Sequence, residues 1–243
     1  MSFRFCSSKH QPDGATPIAV EAAEIVPGIW YVGSCNFCCY LIRTNAGPVM
    51  VDSGMEDQSE LYFANLRRAG CEPTDLVAIL HTHNHSDHIG ATAKLVEVSG
   101  AKTMIGEADA PLLAATAPVT RLLRDGDIVE FGGTQFTFLH TPGHTRGSGV
   151  YLLEQNGVRV CFIGDAIGPF IFEQVRWEGD AEAFRSSADR MKKVVADLYL
   201  PGHPHQTMEV SAEGNPRLTR EQWHRFIDDR VRIMESTISR QGA

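Results

Sequence analysis

Four side chains that commonly bind metals stand within six positions of this sequence. The segment His81–Gly90 contains the pattern HxHxDH, formed by His83, His85, Asp87 and His88. Imidazole and carboxylate groups are the usual protein ligands of zinc and of its neighbours in the transition series. Such a density of ligands indicates a metal site, and it is sufficient to contribute to two sites at once. The chemistry indicated is hydrolysis assisted by two metal ions.

Each candidate ligand is predicted to follow a strand. The HxHxDH segment follows the apolar run Leu76–Leu80. Three further candidates, His144, Asp165 and His203, each stand beside a glycine in a short segment after a predicted strand; these strands are Thr134–His140, Val158–Ile163 and Leu198–Pro201. A sheet can deliver side chains from several strands at one edge, and glycine lets the backbone bend sharply there. We therefore expect the four loops to meet.

The remaining pattern predicts an α/β chain. Short apolar runs between turn residues predict further strands, and amphipathic periodicity predicts helices. The strands are Gly28–Val32, Phe37–Thr44, Val49–Asp52, Lys102–Gly106, Ile128–Phe131 and Gly149–Glu154, and the helices are Asp57–Ala69, Ile89–Ser99, Ala181–Val195 and Thr219–Ser239. Trp223 is predicted to lie in the core. Residues 1–24 read as a loose N-terminal arm, and residues 25–243 as a single domain, because no linker divides them.

Composition limits the classes of partner. Hydrophobic residues make up 43% of 243, enough for an extensive core. The net charge of −8 disfavours a nucleic-acid partner. No apolar run approaches the roughly 18 residues of a membrane helix, and the first residues do not resemble a secretory signal. We expect a cytoplasmic protein that acts on a small molecule, without a nucleic-acid or membrane partner; a homodimer is compatible with the sequence.

The six cysteines offer a second reading of the metal chemistry. Cys35, Cys38 and Cys39 form a CxxCC pattern that suggests a redox or zinc-knuckle site. No second CxxC completes four ligands, and Cys38–Ile42 reads as a strand, in which cysteine is a small apolar residue. We expect a structural role and reduced thiols.

The order and context of these segments resemble the metallo-β-lactamase-fold hydrolases from about Ile25 to about Gln206. The combination of HxHxDH, TPGHT, GD and a histidine after the last strand carries the resemblance. It implies an αββα four-layer sandwich, in which two mixed β-sheets are flanked by helices. It also implies a dinuclear site whose metal-bridging hydroxide attacks a carbonyl carbon. Zinc is the expected metal, with iron or manganese as alternatives.

The resemblance assigns a role to each ligand candidate. The first ion is expected to be bound by His83, His85 and His144, and the second by Asp87, His88 and His203. Asp165 matches the carboxylate that bridges both ions. Asp87 is also expected to orient the hydroxide and to move a proton to the leaving group. Asp52 matches a position close to the site, where it either accepts a hydrogen bond from a ligand imidazole or caps a turn.

The substrate class is less clearly marked. Asp165-Ala166-Ile167 resembles the bridging motif of lactonases and glyoxalase-II-like thioesterases, although quorum-signal lactonases usually have tyrosine where this chain has Gly168. Other segments resemble the histidine-rich subclass of true metallo-β-lactamases, which are exported and lack the bridging carboxylate. An ester, lactone or thioester is therefore the first expectation, and β-lactam hydrolysis is the alternative.

A hydrophobic segment after the bridging carboxylate is predicted to form a wall of the substrate pocket. The residues assigned to this wall are Ile167, Phe170, Phe172 and Trp177. Ordinary core packing is the alternative. Arg146 is a candidate contact for a substrate carboxylate, or else a solvated surface residue.

Two other functional classes use the same fold. An iron-dependent oxidoreductase is one, but the diiron relatives typically have glutamate where this chain has His85. A metal-stabilised scaffold without activity is the other. The full set of expected ligands is present, which favours an enzyme.

Overall fold

The structure is a computed structural model that describes residues 21–168, 180–204 and 217–241. The described strands are β1 (Ala23–Val26), β2 (Ile29–Tyr31), β3 (Tyr40–Thr44), β4 (Gly47–Val51), β5 (Ala78–Leu80), β6 (Lys102–Gly106), β7 (Arg121–Leu123), β8 (Ile128–Phe131), β9 (Thr134–His140), β10 (Gly149–Gln155), β11 (Val158–Gly164) and β12 (Leu198–Pro201). The described α-helices are α1 (Ser59–Arg68), α2 (Ser86–Ile89), α3 (Thr92–Ser99), α4 (Ala110–Ala114), α5 (Ala181–Met191) and α6 (Arg220–Gln241).

The strands form two mixed sheets. The first has seven strands in the order β1-β2-β3-β4-β5-β6-β7, and the second has five in the order β12-β11-β10-β9-β8. Strands β4 to β7 are parallel to one another, whereas β1 to β4 are joined by antiparallel pairings. In the second sheet only β11 and β12 are a parallel pair.

Alternating side chains divide the core into layers. On β5, Ala78 and Leu80 pack between the two sheets, while Ile79 points to the opposite face, against Leu66 of α1 and Leu95 of α3. This alternation is the period of a strand that is buried on both faces. The outer face of the second sheet is covered in the same way by α5 and α6. The αββα sandwich expected from the sequence is confirmed.

Helix α6 is attached to the second sheet through aromatic stacking. Trp223 is fully buried, and its ring stacks on Tyr199 of β12 with centroids 5.1 Å apart. The ring of Phe226, three positions later on the same helix, also stacks on Trp223, with centroids 5.7 Å apart. Trp223 is therefore a core residue, as predicted. No helix in the described part of the chain has the length and apolar character needed to cross a bilayer.

Several helices and strands differ from those predicted from the sequence. The helix predicted at Ile89–Ser99 is two helices, α2 and α3, with Gly90 between them. A Cβ on Gly90 would lie 2.4 Å from the carbonyl oxygen of Ser86, so the chain packs too closely there for a side chain. Strands β1 and β7 and helix α4 were not predicted. The arm predicted for residues 1–24 overlaps β1, which begins at Ala23.

The cysteines are largely structural. Cys38, Cys39, Cys71 and Cys161 are free and buried. Burial raises the pKa of Cys71 to about 11, so this thiol stays protonated at neutral pH.

Strand direction brings the functional loops to one edge of each sheet. Because β4, β5 and β6 are adjacent and parallel, the segments that follow them begin side by side. These segments carry Asp52, the HxHxDH motif and Asp109. In the second sheet, β9 and β11 both run antiparallel to β10, and β12 runs parallel to β11. Their carboxyl ends therefore share an edge as well.

Candidate metal centre

The structure brings together all seven side chains predicted as metal ligands. One group, here called the first triad, consists of His83, His85 and His144. Nε2 of His144 lies 3.2 Å from Nε2 of His83 and 3.0 Å from Nδ1 of His85. The rings of His83 and His85 come from the loop after β5, and His144 comes from the loop after β9. The contact therefore joins the two sheets.

The second triad consists of Asp87, His88 and His203. Nε2 of His203 lies 3.3 Å from Nε2 of His88 and 3.3 Å from Oδ2 of Asp87. His88 Nε2 is 3.9 Å from the same Asp87 oxygen. Short helix α2 presents Asp87 and His88 as neighbours, and the loop after β12 adds His203.

Asp165 lies between the two triads. Its Oδ2 is 3.7 Å from Nε2 of His144 and 3.2 Å from Nε2 of His203. Its Oδ1 is 3.7 Å from Nε2 of His88 and, among the described residues, has no hydrogen-bond partner although it is buried. A buried carboxylate oxygen without a donor is costly unless a cation satisfies it.

The spacing of the donor atoms fits metal ions. Zinc–nitrogen bonds of about 2.0–2.1 Å in a tetrahedral site place neighbouring donor atoms about 3.3–3.4 Å apart. The separations of 3.0, 3.2 and 3.3 Å within the triads are close to that value. Five imidazoles and two carboxylates also match the donor types of zinc, iron and manganese sites. The residues present therefore fit a dinuclear centre.

The ring nitrogens that face away from the centre are held by neighbours in three of these histidines. Nδ1 of His83 lies 3.0 Å from Oγ1 of Thr82, and Nδ1 of His203 lies 2.7 Å from the carbonyl oxygen of Asn36. Nδ1 of His88 lies 3.0 Å from Oδ2 of Asp52. Such contacts fix the orientation of a ligand ring and select which nitrogen faces the metal.

Asp52 has a strained backbone and three polar contacts. Its φ is +56°, in the left-handed region that few residues other than glycine adopt. The carboxylate accepts hydrogen bonds of 2.8 Å from both the backbone N–H and the hydroxyl of Thr82, in addition to its contact with His88. The geometry includes the contact to a ligand imidazole that the sequence suggested for Asp52.

Proton affinities differ between the two triads. Burial lowers the pKa of His144 to about 3 and holds the pKa of His83 well below its ordinary value. Burial acts in the same direction on His88, but the carboxylates of Asp165 and Asp52 outweigh it and raise the pKa of His88 to about 9. Burial opposes the charged form of Asp165, yet His203 and His88 hold its pKa well below the ordinary range. His83 and His144 of the first triad thus favour the neutral imidazole, whereas His88 of the second triad is paired with carboxylates.

Comparison with known proteins places this site in a family. The model of the metallo-beta-lactamase superfamily matches residues 35–203, which include all seven ligand candidates. This chain belongs to the metallo-beta-lactamase superfamily. It is a hydrolase of that superfamily, with an αββα fold and groups of histidine and aspartate side chains suited to metal.

Relatives within the metallo-beta-lactamase superfamily have different names. An N-acyl homoserine lactonase of a Bacillus species is 30% identical over 190 residues, covering 65% of this chain and 75% of the relative. A hydroxyacylglutathione hydrolase of Aliivibrio fischeri is 37% identical over 116 residues, covering 48% of this chain and 42% of the relative. The structure of BJP-1, a subclass B3 metallo-beta-lactamase of Bradyrhizobium japonicum, superposes with a TM-score of 0.78 at 24% identity, over 91% of this chain and 95% of that one. The last similarity concerns the fold alone.

Burial shows from which side this metallo-beta-lactamase-fold site is open. His83, His88 and His144 are each 1% exposed, whereas the side chain of Asp87 is 26% exposed. His85 is also only partly buried. Among the described candidate ligands, Asp87 and His85 are therefore the most accessible.

The structure describes two of the five residues predicted for the substrate pocket. Ile167 is 1% exposed and packs with Phe184 and other residues of the core beneath α5, which fits the alternative of ordinary core better than a pocket wall. Arg146 is exposed on the loop that carries His144. Phe170, Phe172 and Trp177 lie outside the described residues.

Sequence reasoning missed three supports of the site. Thr82 and Asn36 contact ligand imidazoles, and Asp109 is a buried carboxylate beside the loop of His144. Asp109 follows the predicted strand Lys102–Gly106, but the sequence does not mark its contact with the loop of His144. His81, next to the motif, is fully buried, and its Nε2 lies 3.2 Å from Oγ1 of Thr92.

Proposed function

We propose that this chain is a dinuclear metal-dependent hydrolase that cleaves the acyl C–O or C–S bond of an ester, lactone or thioester. The observation that carries the proposal is the position of Asp165. One carboxylate lies within 3.7 Å of imidazole nitrogens from both triads, so a single side chain can bridge two ions. Each triad then supplies three donors of its own.

Zinc is the metal we propose for both positions. The first triad is made only of imidazoles, and the second of two imidazoles and a carboxylate. Such donor sets suit zinc, with iron or manganese as the competing metals. When bound, two divalent ions supply a water that is ionised near neutral pH and a Lewis acid for the carbonyl oxygen.

The protein's own residues supply orientation and proton transfer. The carboxylate of Asp87 is the most exposed of the charged groups that face the centre, so it can reach both an attacking water and a leaving group. In this role it takes a proton from the water and delivers it to the departing oxygen or sulfur. Asp52 and Thr82 keep the rings of His88 and His83 fixed, so little reorganisation is needed during the reaction.

The presence of Asp165 also favours an ester, lactone or thioester as the substrate. An additional carboxylate between the ions strengthens the binding of two metals and disfavours an anionic substrate group at that edge. The similar lactonase and hydroxyacylglutathione hydrolase carry names that denote cleavage of a lactone and of a thioester. Gly168 stands where the quorum-signal lactonases usually have tyrosine, so we do not narrow the class to acyl-homoserine lactones.

Hydrolysis of β-lactams is the second candidate. It is supported by the shared fold with the Bradyrhizobium enzyme over most of both chains. The bridging carboxylate argues against it, because the histidine-rich lactamases lack that group. An amide also has a poorer leaving group than an ester or a thioester, so it makes a heavier demand on Asp87.

Elemental analysis and a small substrate panel test the proposal. The purified protein is expected to hold two zinc ions per chain and to hydrolyse at least one of an aryl ester, a γ-lactone and a thioester faster than a chromogenic cephalosporin. Preference for the cephalosporin would establish the second candidate instead. Bound iron with an oxidative activity, or two ions with no turnover, would contradict the hydrolase proposal.

Two variants and one control connect the activity to the site. Asp165→Ala and His88→Ala are each expected to lower metal content and to abolish turnover. Asp189→Ala is the control, because Asp189 is exposed on α5 and does not belong to the groups of candidate ligands. Retention of two ions and full activity in both site variants would refute the dinuclear assignment.

A further inference from the structure

Asp109 is a buried carboxylate that the proposed reaction does not use. It ends the short 3-10 helix Glu107–Asp109 directly after β6 and is only 1% exposed. Its Oδ2 accepts a hydrogen bond of 2.6 Å from the hydroxyl of Thr145, and its Oδ1 accepts one of 2.7 Å from the backbone N–H of Gly147. Burial raises the pKa of Asp109, and these donors, together with the backbone amide of Asn84, act against the rise.

The partners of Asp109 adjoin the first triad on both sides. Thr145 directly follows His144 in the chain, and Asn84 stands between His83 and His85. Two hydrogen bonds therefore join the carboxylate of Asp109 to the loop of His144.

The loop of His144 is further closed around this carboxylate. Oγ of Ser148 lies 2.6 Å from Oγ1 of Thr145 and accepts a hydrogen bond of 3.0 Å from the backbone N–H of Thr145. A Cβ on Gly147 would lie 2.6 Å from Cγ of Asp109, so the backbone of the loop passes directly against the carboxyl group. The loop has little room to move while Asp109 is in place.

His144 depends on its loop more than the other ligand histidines do. Its Nδ1 is buried without a hydrogen-bond partner among the described residues, whereas Nδ1 of His83 faces Thr82 and Nδ1 of His88 faces Asp52. Within the described part of the chain, no hydrogen bond to Nδ1 fixes the rotation of the His144 ring. The direction of that ring is therefore set by the backbone of the loop, and the loop is held by Asp109.

We propose that Asp109 is a positioning residue that holds the loop of His144 at the separation from His83 and His85 needed to bind the first ion. The inference rests on the proposed dinuclear centre. Asp52 and Asp109 follow β4 and β6, the two neighbours of β5, so the HxHxDH loop lies between two buried carboxylates. Asp52 fixes His88 directly, and Asp109 acts on the first triad through the backbone.

Metal titration of the full-length chain tests this role. In Asp109→Ala, the affinity of the first triad for zinc, measured by chelator competition, is expected to fall about 10- to 100-fold. This is the usual effect of removing a group that supports a ligand. The second ion is expected to keep its affinity to within about threefold, because His88 and His203 have their own supports. Cobalt substitution identifies which site is altered through its visible spectrum.

Two milder variants guard against simple misfolding. Asp109→Asn keeps an oxygen for the N–H of Gly147, so it is expected to weaken the first ion less than alanine does. Thr145→Val removes the hydroxyl without changing the size of the side chain and is expected to weaken the same ion. Both changes remove the same hydrogen bond, from the hydroxyl of Thr145 to Oδ2 of Asp109. The double variant is therefore expected to bind the first ion no more weakly than the more severe single variant does.

Glu107→Ala is the matched control. Glu107 lies two positions away but is exposed and pairs with Arg124 at 2.9 Å, so its removal is expected to leave both affinities unchanged. Metal-free Asp109→Asn is expected to unfold within a few degrees of metal-free wild type, since the role concerns ligand spacing.

Different failures have different meanings. Unchanged affinity for the first ion in Asp109→Ala, or equal weakening of both ions, would overturn the positioning role while leaving the dinuclear proposal intact. Additive effects of Asp109→Asn and Thr145→Val would also overturn it. A wild-type chain that binds fewer than two zinc ions would instead overturn the proposed function, and this inference with it.

Discussion

Gly202 passes so close to Asp165 that no side chain fits between them. A Cβ on Gly202 would lie 2.2 Å from Oδ1 of Asp165 and 2.7 Å from Cε1 of His88. The backbone N–H of Gly202 donates to the carbonyl oxygen of Gly164 at 2.9 Å, and its own carbonyl oxygen accepts from the N–H of Cys38 at 2.8 Å. The loop that carries His203 is thus fixed on both sides against the centre of the site.

Gly202→Ala is expected to displace the shared carboxylate, because the added methyl group overlaps Asp165 Oδ1. We expect loss of at least one metal ion and a drop in kcat of more than tenfold, measured by elemental analysis and ester hydrolysis. Gly133→Ala is the control. A Cβ on Gly133 would meet no atom within 4 Å, and its φ is +87°. The substitution is therefore expected to cost about 1 kcal/mol of stability through backbone strain without touching the site. Full activity in Gly202→Ala would show that the loop can move.

Asp87→Asn is expected to reveal whether Asp87 transfers a proton to the leaving group. Loss of a positioned acid typically lowers kcat about 10²–10⁴-fold. The loss should be larger for an alkyl ester or lactone than for an aryl ester, whose leaving group needs no proton. Kinetics at saturating zinc measure the ratio. Asp75→Asn, at the opposite end of β5, is the control. An equal loss for both kinds of ester would assign Asp87 to metal binding alone.

Removal of metal is expected to destabilise the fold. A ligand that binds only the folded state contributes about 2.7 kcal/mol when its concentration is 100 times its dissociation constant. Treatment with a chelator should therefore lower the unfolding temperature by several degrees, and added zinc should restore it. The measurement is a thermal melt followed by circular dichroism. A melt that is insensitive to both treatments would contradict a site that links the two sheets.

Trp223→Ala is expected to lower the free energy of unfolding by about 3–5 kcal/mol, the cost of emptying a buried aromatic site. Urea denaturation measures the change. The ring packs on Tyr199 of β12, so α6 and the strand before His203 are destabilised together. Ile233→Ala on the same helix is the control, because Ile233 is 41% exposed. Metal content per folded molecule should not change; a selective loss of metal with normal stability would give Trp223 another role.

The candidate ligand residues stand out in the sequence because their pattern is local. Four of them stand within six positions, and the others each stand beside a glycine in a short segment after a strand. Asp109 could not be recognised in this way. Its partner Thr145 is 36 positions away, and only the folded chain brings their side chains together.

The unpredicted elements have a physical explanation as well. Strand β7 has three residues, of which Arg121 and Leu122 are exposed, so it shows no alternation of buried and exposed positions. It is extended because β6 offers a parallel partner at the sheet edge. The conformation of Asp52 is similar: its positive φ is held by contacts with Thr82 and His88, which the neighbouring sequence does not specify.

The two triads are completed at different points along the chain. The last member of the first is His144, whereas the second lacks a ligand until His203 has been synthesised. A nascent chain therefore acquires the complete donor set for one ion about sixty codons before the other. Any product that stops between these positions would contain the first triad but would lack His203 and helix α6, which covers the second sheet, so it could not complete the second triad.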